Sequence, residues 1–353
     1  MAINRILPKV LLGMSGGVDS SVAVHLLKQA GYCVTGLTIL TGCVPSQTVD
    51  KARAVASRLD IDLIIMDSAA EFEETVIKPV VEGYMAGLTP NPCILCNPTF
   101  KFSMLISEAD KRGIEHIATG HYARVVGLGG EHLIAQGVSA ANDQSYFLYR
   151  LPESIKSRLV LPLGGMPKAD ARRLASDMGL GYDAVRSSQE ACFLKSGMRD
   201  WLKGRLPEMF ARGPAYEAES GKLVGHHEGA LGLTLGQRKG HGVAAGKRAY
   251  ISRIDAKENA IYLAGMESCM TNAVAAKDIM LTALAERLLK DGPALLKVKV
   301  RSSMEPVEAE VSAIGGSLAV KMKVPVLIPA PGQSLVCYYE DSAICGGIIA
   351  SGV

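Results

Sequence analysis

The chain opens with a strand, a glycine turn and a helix in one stretch, "KVLLGMSGGVDSSVAVHLLKQAG", residues 9–31. The apolar run before the glycines predicts a buried strand, and the apolar residues after Asp19 recur at helical spacing as far as Gly31. A strand "YCVTGLTIL", a helix "QTVDKARAVASRLD" and a strand "IDLIIMD" follow. Strands alternating with helices favour a parallel sheet, so we expect a doubly wound α/β domain over roughly the first 150 residues.

The sequence pattern changes twice after this region. Residues 152–212 have a helical pattern and hold 11 Lys and Arg against 7 Asp and Glu. This excess of positive charge would suit binding of a polyanion, but solvent-exposed helix faces equally give such numbers. From about residue 213, short alternating runs broken by Gly and Pro predict one or two small β-barrels. We therefore expect three domains: residues 1–151 with a return to about 212, residues 213–273, and residues 274–353.

Composition narrows the class of protein. A chain of 353 residues with 48% hydrophobic residues can bury two or three cores, and its net charge of +3 gives no global sign of nucleic-acid binding. The N-terminal apolar run is too short for a signal peptide or a membrane span, so we expect a cytoplasmic protein without membrane association. In a reducing compartment, eight cysteines indicate burial, metal binding or catalysis rather than disulfides.

The glycine turn is the first candidate site. A glycine-rich turn between a strand and a helix can wrap backbone N–H groups around a phosphate at the helix N-terminus. The turn is neither a Walker A loop nor a Rossmann fingerprint, and the alternative is a tight turn with Asp19 as a helix cap. Its string matches "SGGxDSS", the pyrophosphate loop of the N-type ATP pyrophosphatases. The candidate nucleotide-binding residues are Gly13, Met14, Ser15, Gly16, Gly17, Asp19, Ser20 and Ser21.

Further motifs extend the resemblance along the chain. In order, "TPNPCILCN", "ATGHY", "DQSYFLY", "ACF" and "LGQRKGHGV" resemble the tRNA-specific 2-thiouridylase family, from Lys9 to about Gly352. The resemblance implies an adenine nucleotide alpha hydrolase-like (PP-loop) domain, a small helical and central tRNA-binding region and a C-terminal β-barrel. It also implies that ATP and Mg²⁺ adenylate C2 of the wobble uridine and that sulfur replaces the oxygen, giving 2-thiouridine, AMP and pyrophosphate.

The resemblance also assigns residues. A persulfide on Cys192 would attack the activated C2, Cys96 would release the product through a disulfide, and Asp19 completes the catalytic set. Gly120 and His121 join the nucleotide-binding set. The partners implied are a sulfur-donor protein or inorganic sulfide, and tRNAs that read Lys, Glu and Gln codons. The candidate tRNA-binding residues are Lys101, Asp143, Gln144, Ser145, Gln237, Arg238, Lys239 and Arg301.

Cys93 departs from the family pattern, in which an aspartate usually occupies this position. Cys93, Cys96 and Cys192 resemble the three thiolates that hold a 4Fe–4S cluster in the iron–sulfur branch of tRNA thiolases, and we favour this metal site. One alternative is a persulfide relay on Cys96 and Cys192, with no cofactor beyond ATP and Mg²⁺. The others are a thioredoxin-like redox pair and structural zinc.

Two other functions fit parts of the sequence. An ATP pyrophosphatase-type synthetase acting on a small molecule would share the loop but need no RNA. A non-catalytic RNA-binding or sulfur-carrier relative would keep the fold without the reaction, and the change at Cys93 keeps this hypothesis open. Pyrophosphate release without RNA would identify the first, and intact thiolation in a deletion strain would identify the second.

Overall fold

The computed structural model describes residues 7–43, 47–180, 191–194, 196–244 and 248–351. Their contacts divide the chain into two compact units. The first holds the chain up to Val76, Cys93–Phe193 and Glu340–Ile344, and the second holds Ile77–Pro92, Leu194–Tyr339 and the chain from Cys345 onward. The boundaries expected near residues 212 and 273 stay predictions.

The first unit is built on a five-stranded parallel sheet with strand order β3-β2-β1-β4-β7. Leu11 at its centre pairs with Thr35 on one side and Ile117 on the other. This order confirms the predicted doubly wound sheet. The strands of this unit are β1 (Lys9–Gly13), β2 (Cys33–Leu40), β3 (Asp62–Asp67), β4 (His116–Thr119), β5 (Ala123–Leu128), β6 (Glu131–Gln136) and β7 (Leu159–Val160).

Helices follow the strands as the sequence predicts. In chain order they are α1 (Val18–Gln29), α2 (Gln47–Arg58), α3 (Ala69–Phe72), α4 (Lys78–Met85), α5 (Pro92–Cys96), α6 (Phe102–Lys111), α7 (Ser145–Leu148), α8 (Glu153–Lys156), α9 (Lys168–Asp177), α10 (Met198–Arg205) and α11 (Ala283–Leu289). Two π-helical turns, Glu73–Ile77 and Asn97–Lys101, join α3 to α4 and α5 to α6. Such turns often occur at functional sites.

Both faces of the parallel sheet are covered, as its apolar strands require. On one face, Leu11 and Ile117 pack with Phe102 and Leu105 of α6. On the other face, buried residues of α1 and α2 pack against the intervening positions of β1. The antiparallel hairpin of β5 and β6 lies beside this core and pairs with Ser342 and Ala343. The loop after β1 is thus held between a rigid strand and a buried helix.

The second unit is β-rich, as predicted. A four-stranded sheet has the order β10-β11-β8-β9, and six antiparallel strands form a closed barrel because β12 pairs with both β15 and β17. Within the described residues, no helix is long and apolar enough to cross a membrane. The strands are β8 (Gly213–Glu217), β9 (Leu223–His227), β10 (Tyr250–Asp255), β11 (Ala260–Ala264), β12 (Met270–Leu281), β13 (Ala294–Lys299), β14 (Val307–Ile314), β15 (Ser317–Leu327), β16 (Ser334–Tyr339) and β17 (Ser342–Ile349).

Candidate active site

The loop between β1 and α1 has the geometry of an anion site. Gly17 is the N-cap of α1, so the first N–H groups of the helix have no acceptor inside it and carry the positive end of its dipole. Ser20 and Ser21 are buried, and both hydroxyls donate to the carbonyl of Gly17, at 3.0 and 2.9 Å. Their hydroxyls therefore fix the loop, while backbone N–H groups are the donors suited to phosphate.

Two glycines let backbone pass close to the loop. Gly16 has φ +71°, and a Cβ there would lie 2.6 Å from the backbone N of Ala52. A Cβ on Gly120 would lie 3.1 Å from the backbone carbon of Asp19. Of the four predicted nucleotide-binding glycines, Gly16 thus occupies a position where a side chain would force backbone to move, and Gly120 one where a side chain would press on the backbone of Asp19.

Two residues outside the SGGxDSS motif contact the carboxylate of Asp19. The hydroxyl of Tyr122 donates to Oδ1 of Asp19 at 2.6 Å, and Nζ of Lys168 lies 3.4 Å from Oδ2. Lys168 also lies over the Tyr122 ring, 5.3 Å from its centroid. Burial, followed by the hydrogen bond and charge of Asp19, raises the pKa of Tyr122. The phenol therefore stays protonated and donates to the carboxylate.

The turn after β4 presents two neighbouring side chains to different parts of the site. Tyr122 contacts Asp19, and its backbone N–H donates to Oε1 of Gln144 at 2.9 Å. His121 stacks on Phe102, and its Nδ1 lies 2.7 Å from Oγ1 of Thr119. Burial and the charge of Lys101 hold the pKa of His121 well below its usual range, so this imidazole is neutral at pH 7.

Two of the predicted cysteines lie on α5. Cys96 is buried and Cys93 is half-buried. Burial raises the pKa of Cys96 to about 11, while the charge and the backbone N–H of Lys101 act in the opposite direction. The pKa of Cys93 is likewise raised, first by burial. A Cys192 thiolate raises the pKa of both, so the three thiols lie within range of one another's charge.

An aromatic cluster holds Cys192 beside this helix. Cys192 is exposed, but the next residue, Phe193, is buried, with its ring centroid 6.1 Å from that of Phe72. Phe72 in turn contacts Phe100 at 5.1 Å, and Phe100 lies on the π-helical turn directly after Cys96. The exposed thiol is therefore anchored by its buried neighbour to the segment that carries Cys96.

The metal site that the sequence suggested for the thiols stays a prediction. Among the residues that the structure describes, no three His, Cys, Asp or Glu side chains converge as a ligand set. Cys96 is buried on a helix and Cys192 is exposed on a turn, and a Cys192 thiolate still acts on the pKa of Cys96. Coordination of a cluster by Cys93, Cys96 and Cys192 is therefore left as a prediction.

Several predicted tRNA-binding residues of the first unit have internal partners. Asp143 accepts hydrogen bonds from the backbone N–H groups of Gly137 and Ser145, and Ser145 is fully buried. Gln144 holds the Tyr122 backbone. The charge of Lys101 acts on the thiols and on His121. These residues therefore shape the site from within, and their contact with tRNA stays a prediction.

The predicted basic turn of the second unit is an open surface. Arg238 and Lys239 line a cavity of about 570 Å³ together with His241 and Arg248. Gln237 braces the turn through hydrogen bonds to the N–H of Thr234 and the carbonyl of Lys239. Arg238 and Lys239 are exposed cations, as phosphate contacts require.

Arg301 holds the backbone next to this turn through hydrogen bonds. Its guanidinium donates to the carbonyl of Ile328 at 2.6 Å, and a Cβ on Gly236 would lie 2.7 Å from its Nη2. The sequence suggested a tRNA contact for Arg301. Its donors point to backbone carbonyls of the same unit, so it holds the local backbone, and its contact with tRNA stays a prediction.

Tyr122 and Lys168 are the functional candidates that sequence reasoning missed. Tyr122 follows His121 within the quoted "ATGHYARV", but an aromatic residue after a strand carries no specific signal. Lys168 begins α9 after Pro167 and packs near Asp19 because Ala171 and Ala175 of α9 contact Val22 of α1. Only the packing of two helices distant in sequence brings this lysine to the loop.

The fold and the site define a nucleotide-binding α/β domain with a thiol centre, joined to β-rich domains. Three family models match the chain: a tRNA methyl transferase HUP domain over residues 8–196, a tRNA methyl transferase PRC-barrel domain over residues 199–265, and an aminomethyltransferase beta-barrel domain over residues 272–349. Cys93, Cys96 and Cys192 all lie in the first of these.

Three relatives match over nearly their whole length. The tRNA-specific 2-thiouridylase MnmA 3 of Phocaeicola vulgatus is 36% identical, over 97% of this chain and 94% of its own. The tRNA-specific 2-thiouridylase MnmA of Thermus thermophilus is 35% identical, over 98% and 95%, and that of Moorella thermoacetica is 36% identical, over 97% and 99%. The chain belongs to the tRNA-specific 2-thiouridylase family.

Proposed function

We propose that this protein is an ATP-dependent tRNA sulfurtransferase that replaces the C2 oxygen of the wobble uridine with sulfur. It would act in the cytoplasm on tRNAs that read Lys, Glu and Gln codons. One observation carries the proposal: Tyr122 contacts Asp19 of the loop, while the adjacent His121 lies in the field of the same Lys101 that acts on Cys96. The turn after β4 thus contacts the candidate phosphate-binding loop and lies near the segment that carries the candidate thiols, which supports a reaction that uses both.

The first step activates a poor leaving group. The C2 oxygen of uridine would attack the α-phosphorus of ATP, pyrophosphate would leave, and the oxygen would become part of an AMP leaving group. The N–H groups at the start of α1 would hold the phosphates, with the cation of Lys168 beside them. Mg²⁺ would enter on the phosphate oxygens, as this ion commonly does, and would offset their charge.

The second step delivers sulfur through two cysteines. Cys192 is exposed, which suits its thiolate to attack the outer sulfur of a donor protein's persulfide, so that the donor leaves as a thiolate and Cys192 carries the sulfur as a persulfide. The terminal sulfur would attack C2 and AMP would leave. The Cys96 thiolate would then attack Sγ of Cys192, which breaks the S–S bond to the product sulfur, releases 2-thiouridine and forms a Cys96–Cys192 disulfide.

Lys101 has a defined function in this scheme. The buried Cys96 thiol must lose its proton before it can attack, and burial opposes that loss. The ammonium of Lys101 and its backbone N–H both favour the thiolate. A cluster on Cys93, Cys96 and Cys192 is the alternative to this relay, and the steps written here do not depend on it.

The test measures both half-reactions on the full chain. With tRNA transcript, ATP, Mg²⁺ and inorganic polysulfide as the source of persulfide sulfur, wild type should release pyrophosphate and form 2-thiouridine, detected by mass spectrometry of the nucleosides. Asp19→Asn should lose both products, whereas Cys192→Ser should lose only 2-thiouridine. Asp110→Asn is the matched control, because Asp110 is an exposed carboxylate paired with Arg158 at a distance of 2.7 Å.

The same assay separates the alternatives. Pyrophosphate release that needs a small amide acceptor and no tRNA would identify a small-molecule synthetase. Binding of tRNA with neither pyrophosphate nor 2-thiouridine would identify a non-catalytic relative. Either result would contradict the proposed reaction.

A further inference from the structure

α10 carries the single tryptophan of the chain, Trp201. Leu202 is fully buried, and the guanidinium of Arg199 donates to the backbone carbonyls of Gly229 and Leu231 at 3.0 and 2.8 Å. These contacts fix one side of the helix within the second unit. Trp201 lies about 100° round the helix from Leu202 and is only half-buried. A firmly held helix therefore presents part of the indole at the surface.

The side chain of Arg205 lies over this indole. Its guanidinium carbon is 4.7 Å from the centroid of the Trp201 ring, as a spacing of four residues on a helix allows. Arg205 is itself exposed. Proteins bind unpaired bases of RNA by stacking them on aromatic rings and on guanidinium planes, and this pair offers both at one place.

The helix leaves space beside this pair. Gly204 lies three residues after Trp201, and residues at that spacing are neighbours on the helix surface. A Cβ on Gly204 would meet no atom of the described chain within 4 Å. Glycine is less favourable than alanine within a helix, so helix stability does not account for this residue. A flat group the size of a base has room next to the indole and the guanidinium.

The charge of this segment favours a polyanion. Residues 196–212 hold four Lys and Arg against two Asp and Glu. Lys203 and Arg212 are exposed, and neither side chain forms an ion pair with a residue that the structure describes. Exposed cations of this kind suit contacts with backbone phosphates, while the stacking pair suits a base.

We propose that Trp201 and Arg205 form a stacking site for an unpaired base of the tRNA. The base lies against the indole and the guanidinium beside Gly204, and the neighbouring phosphates face the exposed cations of the segment. This inference rests on the proposed function, because it takes tRNA as the substrate. It adds a binding contact that the reaction steps do not use.

The single tryptophan reports on this contact directly. The full chain is titrated with tRNA transcript in the absence of ATP and of a sulfur source, and N-acetyltryptophanamide corrects the indole emission for absorption by the RNA. The tRNA should quench the emission saturably, with the Kd that anisotropy of end-labelled tRNA gives. An RNA duplex without unpaired bases should quench much less, because its bases are already stacked on one another.

Two variants of Gly204 test the space beside the pair. Gly204→Leu should fill this space and raise the Kd for tRNA about tenfold, within the range that loss of one stacked base gives. Gly204→Ala should bind like wild type. Both variants should raise the Tm, because leucine and alanine favour a helix over glycine, so weaker binding by Gly204→Leu would not reflect unfolding.

Arg205→Lys separates stacking from charge. It keeps the positive charge but lacks the guanidinium plane, so the Kd for tRNA should rise about two- to fivefold. Arg253→Lys is the matched control and should bind like wild type. Arg253 also lies over an aromatic ring of the second unit, 3.6 Å from the centroid of Tyr262, but that ring already has a second neighbour in Tyr216, at 5.5 Å.

Three results would overturn the inference. One is unchanged Trp201 emission at tRNA concentrations that saturate the anisotropy, which would leave this surface to helix stability or to a protein partner. Another is an equal Kd for Gly204→Leu and Gly204→Ala. The third is wild-type affinity of Arg205→Lys, which would leave only a charge effect. Failure of the proposed function is distinct, because tRNA would then quench Trp201 although wild type made no 2-thiouridine.

Discussion

The hydroxyl of Tyr122 donates to Oδ1 of Asp19 at 2.6 Å, across 103 positions of sequence. Tyr122 is almost completely buried, and its backbone is held by Gln144. The phenol therefore fixes one oxygen of the carboxylate, and Lys168 contacts the other. This contact joins the end of β4 to the first turn of α1, so the orientation of Asp19 depends on a residue outside the loop.

Tyr122→Phe should weaken the nucleotide half-reaction without unfolding the protein. A hydrogen bond to a charged group contributes about 1.5–3 kcal/mol, and its loss would lower pyrophosphate release by roughly ten- to a hundredfold. The measurement is the rate of pyrophosphate release with saturating tRNA. Tyr32→Phe is the control, since the ring of Tyr32 contacts His116 edge-on and packs on the core beside β1, which the phenylalanine ring preserves. Equal rates in both variants would show that the Asp19 contact is not used.

Lys168→Met should act on ATP rather than on tRNA. Lys168 is partly buried beside Asp19 at the loop. Without its positive charge, the negative charges of the ATP phosphates and of the Asp19 carboxylate would repel each other more strongly. We expect the KM for ATP to rise about tenfold, which corresponds to about 1.4 kcal/mol, with little change in the KM for tRNA. Lys111→Met is the matched control, because Lys111 is also a lysine paired with a carboxylate, here the buried Glu108, but its own side chain is exposed on α6. A change only in the KM for tRNA would assign Lys168 to RNA binding instead.

Gly16→Ala should abolish nucleotide chemistry, because the backbone of Ala52 lies where the methyl group would go. Gly31→Ala is a sharp control: Gly31 also has positive φ, at +87°, but a Cβ there would meet nothing within 4 Å. The control should lose only the conformational cost of about 1–2 kcal/mol, seen as a lower Tm with normal pyrophosphate release. Normal pyrophosphate release by Gly16→Ala would mean that the loop tolerates displacement.

The sequence predicts local structure well because its signals are local. The strand, glycine turn and helix of residues 9–31 need only apolar periodicity and Gly31, and all three are confirmed. Contacts between residues that are distant in sequence cannot be predicted from such local signals. Lys168 reaches Asp19 only because α9 packs on α1, and Arg301 meets the turn after Leu235 only because the second unit folds. Neither contact leaves a periodic or spacing signal in the chain.

The thiols should differ in their reaction with iodoacetamide. Cys192 is exposed and should react first, whereas Cys96 is buried and its pKa of about 11 leaves mostly the unreactive thiol at pH 7. Since only the thiolate reacts, alkylation of Cys96 should accelerate about tenfold per pH unit and level off near pH 11. The rate is followed for each tryptic peptide by mass spectrometry.

Lys101→Met tests the cause of that pH dependence. The ammonium of Lys101 lowers the pKa of Cys96 against the larger effect of burial, so its removal should raise the pKa further and slow alkylation of Cys96 at every pH below about 11. Cys33 lies exposed on β2 and serves as the internal reference for reagent and pH. Labelling of Cys96 that is fast at pH 7 and independent of pH would contradict a buried, protonated thiol. It would require a stronger source of thiolate stabilisation than Lys101.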